Sequence, residues 1–100
     1  MAKVKHAVVV RLKPETPEEA TRAILQALDD LRHTIPGLLD FSGGSYSSPE
    51  GLNQGFTHGF IMTFADAASR DVYLPHPAHE AVKGQIVPHV DSILAFDFEV

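Results

Sequence analysis

A chain of 100 residues has the length for one domain and not for a second core. With 44% apolar and 21% charged residues it belongs with globular domains rather than disordered ones. It has no cysteine, which excludes disulfides, thiol catalysis, cysteine-type zinc sites and iron–sulfur clusters, and its net charge of −5 carries no basic stripe for nucleic acid.

So short a chain buries a modest fraction of its surface, and oligomerisation is the remaining common source of stability. Residues 1–12 read as the start of a strand. Their apolar run is too short for a signal peptide, and no small-residue cleavage site follows. No stretch approaches the roughly 20 apolar residues that span a bilayer. The expectation is a single domain over residues 1–100 of a soluble cytoplasmic protein, without a membrane or nucleic-acid partner.

Residues 3–12 alternate as a strand, with Val4, His6, Val8, Val10 and Leu12 on one face. Ala7 and Val9 make the other face apolar too, as in a central strand covered on both sides. Thr16, Pro17 and Glu19 fit N-cap, N1 and N3 of a capping box. Ala20, Ala23, Ile24, Ala27, Leu28, Leu31 and Ile35 then follow at helical spacing, and Pro36-Gly37 stops the helix. Residues 38–46 form a second strand, broken or bulged at Gly43-Gly44, and 47–55 a polar loop. A third strand over 56–64 has Phe56, His58, Phe60, Met62 and Phe64 on one face and Gly59, Ile61 and Thr63 on the other. A short helix over 66–74 ends at Pro75, a second helical stretch runs from HPAH to about 87, and residues 93–100 form the last strand.

The order β-α-β-β-α-β predicts an α+β, ferredoxin-like fold: a four-stranded antiparallel sheet with helices on one face. The other face, with Ala7, Val9, Ile61, Ile93 and Ala95, is left open. A second copy across a two-fold axis covers it most economically, so a homodimer through the sheet face is expected.

Six histidines carry most of the chemistry. His33, near a helix C-terminus, and His89, before the last strand, read as surface residues. His6 and His58 lie on apolar strand faces, and two readings fit. They are buried and satisfied by hydrogen bonds, or they floor a polar pocket under the helices. His76 precedes a proline and suits an N-cap, which places His79 at N3. There the helix dipole disfavours imidazolium, and a neutral imidazole can act as a base. HPAH also reads as a plain helix start with Tyr73 packed beside it. Pro77 keeps His76 out of the regular helix and spoils an i, i+3 chelate, so no metal is expected. Gly43-Gly44 has no following helix to cradle a phosphate.

The segments VKHAVVVRLK, TIPGL, FTHGFIMTFADAASRDVYLPHPAHEAV and ILAFDFEV resemble the stress-responsive A/B-barrel domain family, the dimeric α+β barrels, across essentially the whole chain. Within that family the sequence looks particularly like the plant polyketide cyclases, which perform an intramolecular aldol condensation without metal or organic cofactor, so the resemblance implies no cofactor here. The resemblance implies a pocket between sheet and helices with Tyr73 and His79 as catalytic pair and His6 and His58 lining it. It also implies that Asp97 holds the histidine through its backbone. The sequence departs at Leu28, where those cyclases carry a pocket tyrosine. An aldol step needs a base beside a carbonyl and a donor to the enolate, and His79 and Tyr73 fit those roles. The implied ligand is a small, planar, partly polar molecule such as a phenol or short β-polyketone. The alternative is a non-catalytic, stress-related dimer or larger assembly.

Overall fold

The computed structural model describes residues 2–100. Strand β1 (Val4–Leu12) is the hub of the sheet, pairing antiparallel with β3 (His58–Phe64) on one side and β4 (Val90–Glu99) on the other. Strand β2 (Leu38–Ser45) pairs antiparallel with β3, giving the order β2-β3-β1-β4. Helices α1 (Glu18–Asp30), α2 (Ala67–Tyr73) and α3 (Pro77–Ile86) complete the ferredoxin-like α+β arrangement. The second helical region is split because Pro75 cannot continue a helix and Pro77 holds His76 extended, at φ −63° and ψ 137°. Among the described residues no helix is long and apolar enough to cross a membrane.

The core lies between the helices and one sheet face. Val4, Met62 and Phe64 from the sheet meet Ile24 and Leu28 of α1, Tyr73 of α2 and Val82 of α3. Met62 and Phe64 are wholly buried, each contributing about 1.5–3 kcal/mol through apolar area removed from water. Val8, Val10 and Leu12 form a second cluster on the same face. Directly paired residues of antiparallel strands stand on the same side of the sheet, so β1's inward residues fix the faces of both neighbours.

Three local expectations are corrected. The capping box does not form. Pro17 is the N-cap, its carbonyl accepts the first helical bond from the Thr21 amide, and the Thr16 hydroxyl is buried without a partner. Glu18 and Glu19 in the first turn complement the dipole instead. The irregularity in β2 falls between Leu38 and Asp40, while Gly43 and Gly44 pair in regular register with Phe60 and Gly59. Ile93 and Ala95 do not lie on the open face. They pair with Val10 and Val8 and so face the helices, leaving Leu94, Phe96 and Phe98 on the open side. The sequence 93–96 is apolar at every position, so alternation alone leaves the two faces indistinguishable.

One turn sets the approach of α2. Gly37 has φ +85°, its carbonyl accepts from the Ala65 amide, and a β-carbon there would lie 2.2 Å from the Ser69 hydroxyl. Ser69 is in turn the residue whose amide the N-cap Asp66 accepts. Gly37→Ala therefore combines a left-handed backbone with a clash and is expected to lower stability by about 2 kcal/mol or more in urea denaturation. A variant as stable as the parent would contradict this close approach.

Candidate active site

Alpha helices cover β1 and β3 more fully than the β4 edge, where Ile93 is 61% exposed on the helix side. Under that edge lies a cavity of about 230 Å³. Val8, Val10, Leu28, Phe60 and Ile86 supply apolar wall, and His6, Tyr73, His79 and Lys83 supply its polar groups. Two larger hollows, of about 490 and 470 Å³, lie instead against the glycine-containing β2–β3 ladder. Neither is lined by Tyr73 or His79, which both line the smaller cavity.

Tyr73 and His79 stand together because α2 ends where α3 begins, with only a three-residue joint between them. Their rings stack at 4.1 Å with 27° between planes. His79 Nδ1 is 2.9 Å from the Leu74 carbonyl oxygen, which can only accept. The imidazole therefore donates from Nδ1, and in the neutral ring the lone pair belongs to Nε2. Burial pushes the His79 pKa below its ordinary value. The Leu74 carbonyl partly opposes this, and the Lys83 charge adds to it. Burial also raises the Tyr73 phenol far above its usual range, so it remains a proton donor.

His6 is buried on β1, its ring 6.0 Å from Tyr73. The register places it opposite Asp97, and its Nδ1 donates to Asp97 Oδ1 at 2.6 Å. Arg70 Nη1 donates to the other carboxylate oxygen at 2.7 Å and its Nε to Asp71 at 2.8 Å. Desolvation pushes the Asp97 pKa up, but the hydrogen bonds from Arg70 and His6 outweigh it and hold the carboxyl below its ordinary value. Asp97 thus acts through its side chain, on His6, and not through its backbone on His79.

Two other expectations separate from this group. His58 shares the sheet face but sits beyond Phe60, in a narrow cleft with Leu12 and Ile24, bonded to the Thr57 hydroxyl at 2.9 Å. It does not line the Tyr73–His79 cavity. His76 caps α3, its Nδ1 accepting from the Ala78 amide at 3.0 Å, and is absent from the cavity wall. Leu28 is buried against the cavity as wall. Among the described residues no three His, Asp or Glu side chains converge as metal ligands. Arg70 and Lys83 were missed by sequence reasoning. Lys83 had a usable signal, one helical turn after His79; Arg70 had none, because its partner is 27 residues away.

The pH behaviour follows in sign. A depressed His79 pKa means the unfolded chain binds the proton first, so this group's effect destabilises the fold as pH drops below about 6.5. Asp97's contribution is complete above the ordinary carboxylate pKa and is lost as pH falls through its lower folded value. Imidazole NMR is expected to show His79 titrating below 6.5, protonated at Nδ1 in its neutral form. A midpoint above 6.5 would contradict this environment.

Residues 4–100 match the family model described as Stress responsive A/B Barrel Domain. The stress-response A/B barrel domain-containing protein At5g22580 of Arabidopsis thaliana is 34% identical over 97 residues, covering 96% of this chain and 85% of its own. Olivetolic acid cyclase of Cannabis sativa is 26% identical over 95 residues, covering 95% and 94% respectively. A dimeric ferredoxin-like protein from Jannaschia sp. CCS1 superposes with a TM-score of 0.87 at 30% identity, covering 98% of this chain and 99% of that one. The chain belongs to the stress-responsive A/B barrel domain family.

Proposed function

We propose that the protein binds a small, partly polar molecule in the Tyr73–His79 cavity and performs cofactor-free proton transfer there, as a cyclase, isomerase or lyase. The observation carrying this reading is the His79 ring, locked by Leu74, stacked on Tyr73 and depressed in pKa by burial. A base at neutral pH must be unprotonated and have a lone pair directed at its substrate, and the Nδ1 bond reserves Nε2 for that task. Nε2 takes a proton from carbon next to a carbonyl, and the Tyr73 hydroxyl donates to the developing enolate oxygen. In an aldol closure the new carbon–carbon bond forms at a second carbonyl, and the imidazolium returns its proton to the resulting alkoxide. The apolar wall strengthens both interactions by lowering the local dielectric. His6, oriented by Asp97 and Arg70, supplies a further polar contact beside Tyr73. The similarity to olivetolic acid cyclase supports the reaction class, with Leu28 pointing to a different substrate.

Titration with a phenol or a short β-triketone is expected to shift the imidazole signals of His6 and His79 strongly and those of His33 and His89 not at all. His79→Ala should keep the fold and lower any turnover by roughly 10²–10⁴-fold, the contribution of a general base. No binding at millimolar ligand, or equal shifts at all histidines, would remove the support for this reading.

A different observation supports a homodimer. Ile61, Leu94, Phe96 and Phe98 are 44–64% exposed on the sheet face without helices, beside Ala7 and Val9. The similar Jannaschia protein is dimeric. A dimer through this face serves the enzyme reading, and it is also the whole product in the alternative of a non-catalytic stress protein. Sedimentation equilibrium at micromolar concentration is expected to give twice the chain mass. Val9→Asp should split the dimer, because association would bury an unpaired carboxylate. A monodisperse parent monomer would overturn the assembly.

A further inference from the structure

We infer that the ligand of the Tyr73–His79 cavity is a carboxylic acid, and that Lys83 at the cavity rim takes its carboxylate. This rests on the binding site proposed above and names the class of molecule that the site selects.

Among the described residues lining the cavity, Lys83 alone carries a permanent charge, and no carboxylate shares the wall with it. The acidic groups nearby are committed elsewhere. Asp97 accepts from Arg70 and His6, and Asp71 accepts from Arg70. Lys83 Nζ meets only Glu80 Oε1, at 2.9 Å, where the two side chains are 47% and 53% exposed. A pair so open to water contributes little and exchanges readily.

Helix geometry turns Lys83 inward and Glu80 away. His79, Lys83 and Ile86 line the cavity at spacings of four and three, which is one stripe of α3. Glu80 follows His79 directly and lies off that stripe, outside the wall. The lysine stem thus runs along apolar surface beside Ile86 and Ile93, while the ammonium reaches the rim. Its charge is felt inside, where it helps lower the His79 pKa. A carboxylate bound here meets that charge against the apolar walls of Leu28 and Ile86, where attraction is stronger than in open solvent. An ammonium has three donors, so the Glu80 contact need not break. From Lys83 the ligand extends one helical turn to set a carbonyl or phenol hydroxyl beside Tyr73 and His79. A neutral ligand gains nothing from Lys83, and a cationic one is repelled.

The test compares 3-(4-hydroxyphenyl)propanoate with its primary amide, which has the same shape and no charge. Both should shift the imidazole NMR signals of His6 and His79, and the acid should bind about tenfold more tightly, as a charge-assisted contact requires. Lys83→Met retains the stem without the charge and should abolish the preference, while Lys83→Arg should restore it. Glu80→Gln removes the surface partner but not the cation, so the preference should persist or grow. If Lys83 served only its helix pair, Glu80→Gln and Lys83→Met would act alike. An acid no tighter than the amide, a preference that survives Lys83→Met, or one lost in Glu80→Gln overturns the acid assignment, while the amide's binding leaves the cavity reading standing. No imidazole shift with either compound overturns the cavity reading, and the acid assignment with it.

Discussion

The pairing of β1 with a strand on each side is the constraint from which the rest of the molecule follows. Val4, His6, Val8, Val10 and Leu12 are buried under the helices, so the residues opposite them must share that face. His6 is thereby placed beside Met62 and Asp97, and Val10 beside His58 and Ile93. A slip of one residue in either ladder would turn every one of these side chains to the other face. The loss of apolar burial would be prohibitive across a core containing Met62 and Phe64 at full burial. The Asp97–His6 bond is thus a consequence of register, and it reinforces the register that created it.

The site's histidines differ by what their Nδ1 atoms touch. His76 meets a backbone amide, accepts from it, and becomes a cap. His79 meets a carbonyl, donates to it, and keeps Nε2 unencumbered when neutral. His6 meets a carboxylate already held by Arg70. The same side chain therefore supports a helix start, a candidate base and an anchored polar contact within one region. Tyr73, packed against Phe64 at 5.0 Å and against His79 at 4.1 Å, joins the core to the cavity.

The two faces of the sheet divide the remaining work. Three helices close one face but leave its β4 edge thinly covered, and the cavity forms under that edge with Leu28 and Ile86 as walls. Among the described residues no helix covers the other face. Its exposed apolar residues, beside the opposed Gly44 and Gly59, are the surface that the proposed dimer would cover. The proposed pocket and the proposed interface therefore use residues that point in opposite directions through a single sheet.

Element order, the inward face of β1, the helical stripe of α1 and the extended joint at His76-Pro77 were all legible in the chain, because each depends on local periodicity or on proline geometry. The pairing of Tyr73 with His79 was also within reach, since six residues and one joint separate them. Other features depend on distant partners and were not legible. Ile93 and Ala95 required the β1–β4 register, as residues 93–96 show no alternation. His58 shares a face with His6 yet lies four residues along β3 from the Met62 opposite His6, so face alone misplaced it. The N-cap falls on Pro17, one residue after Thr16, so the Thr16 hydroxyl caps nothing. His6 meets Asp97 across a gap of 91 residues and Arg70 meets the same carboxylate across 27, where only the folded chain brings these groups together. Local chemistry was therefore written in the sequence, while strand register and long-range charge pairing decided which of those groups share a site.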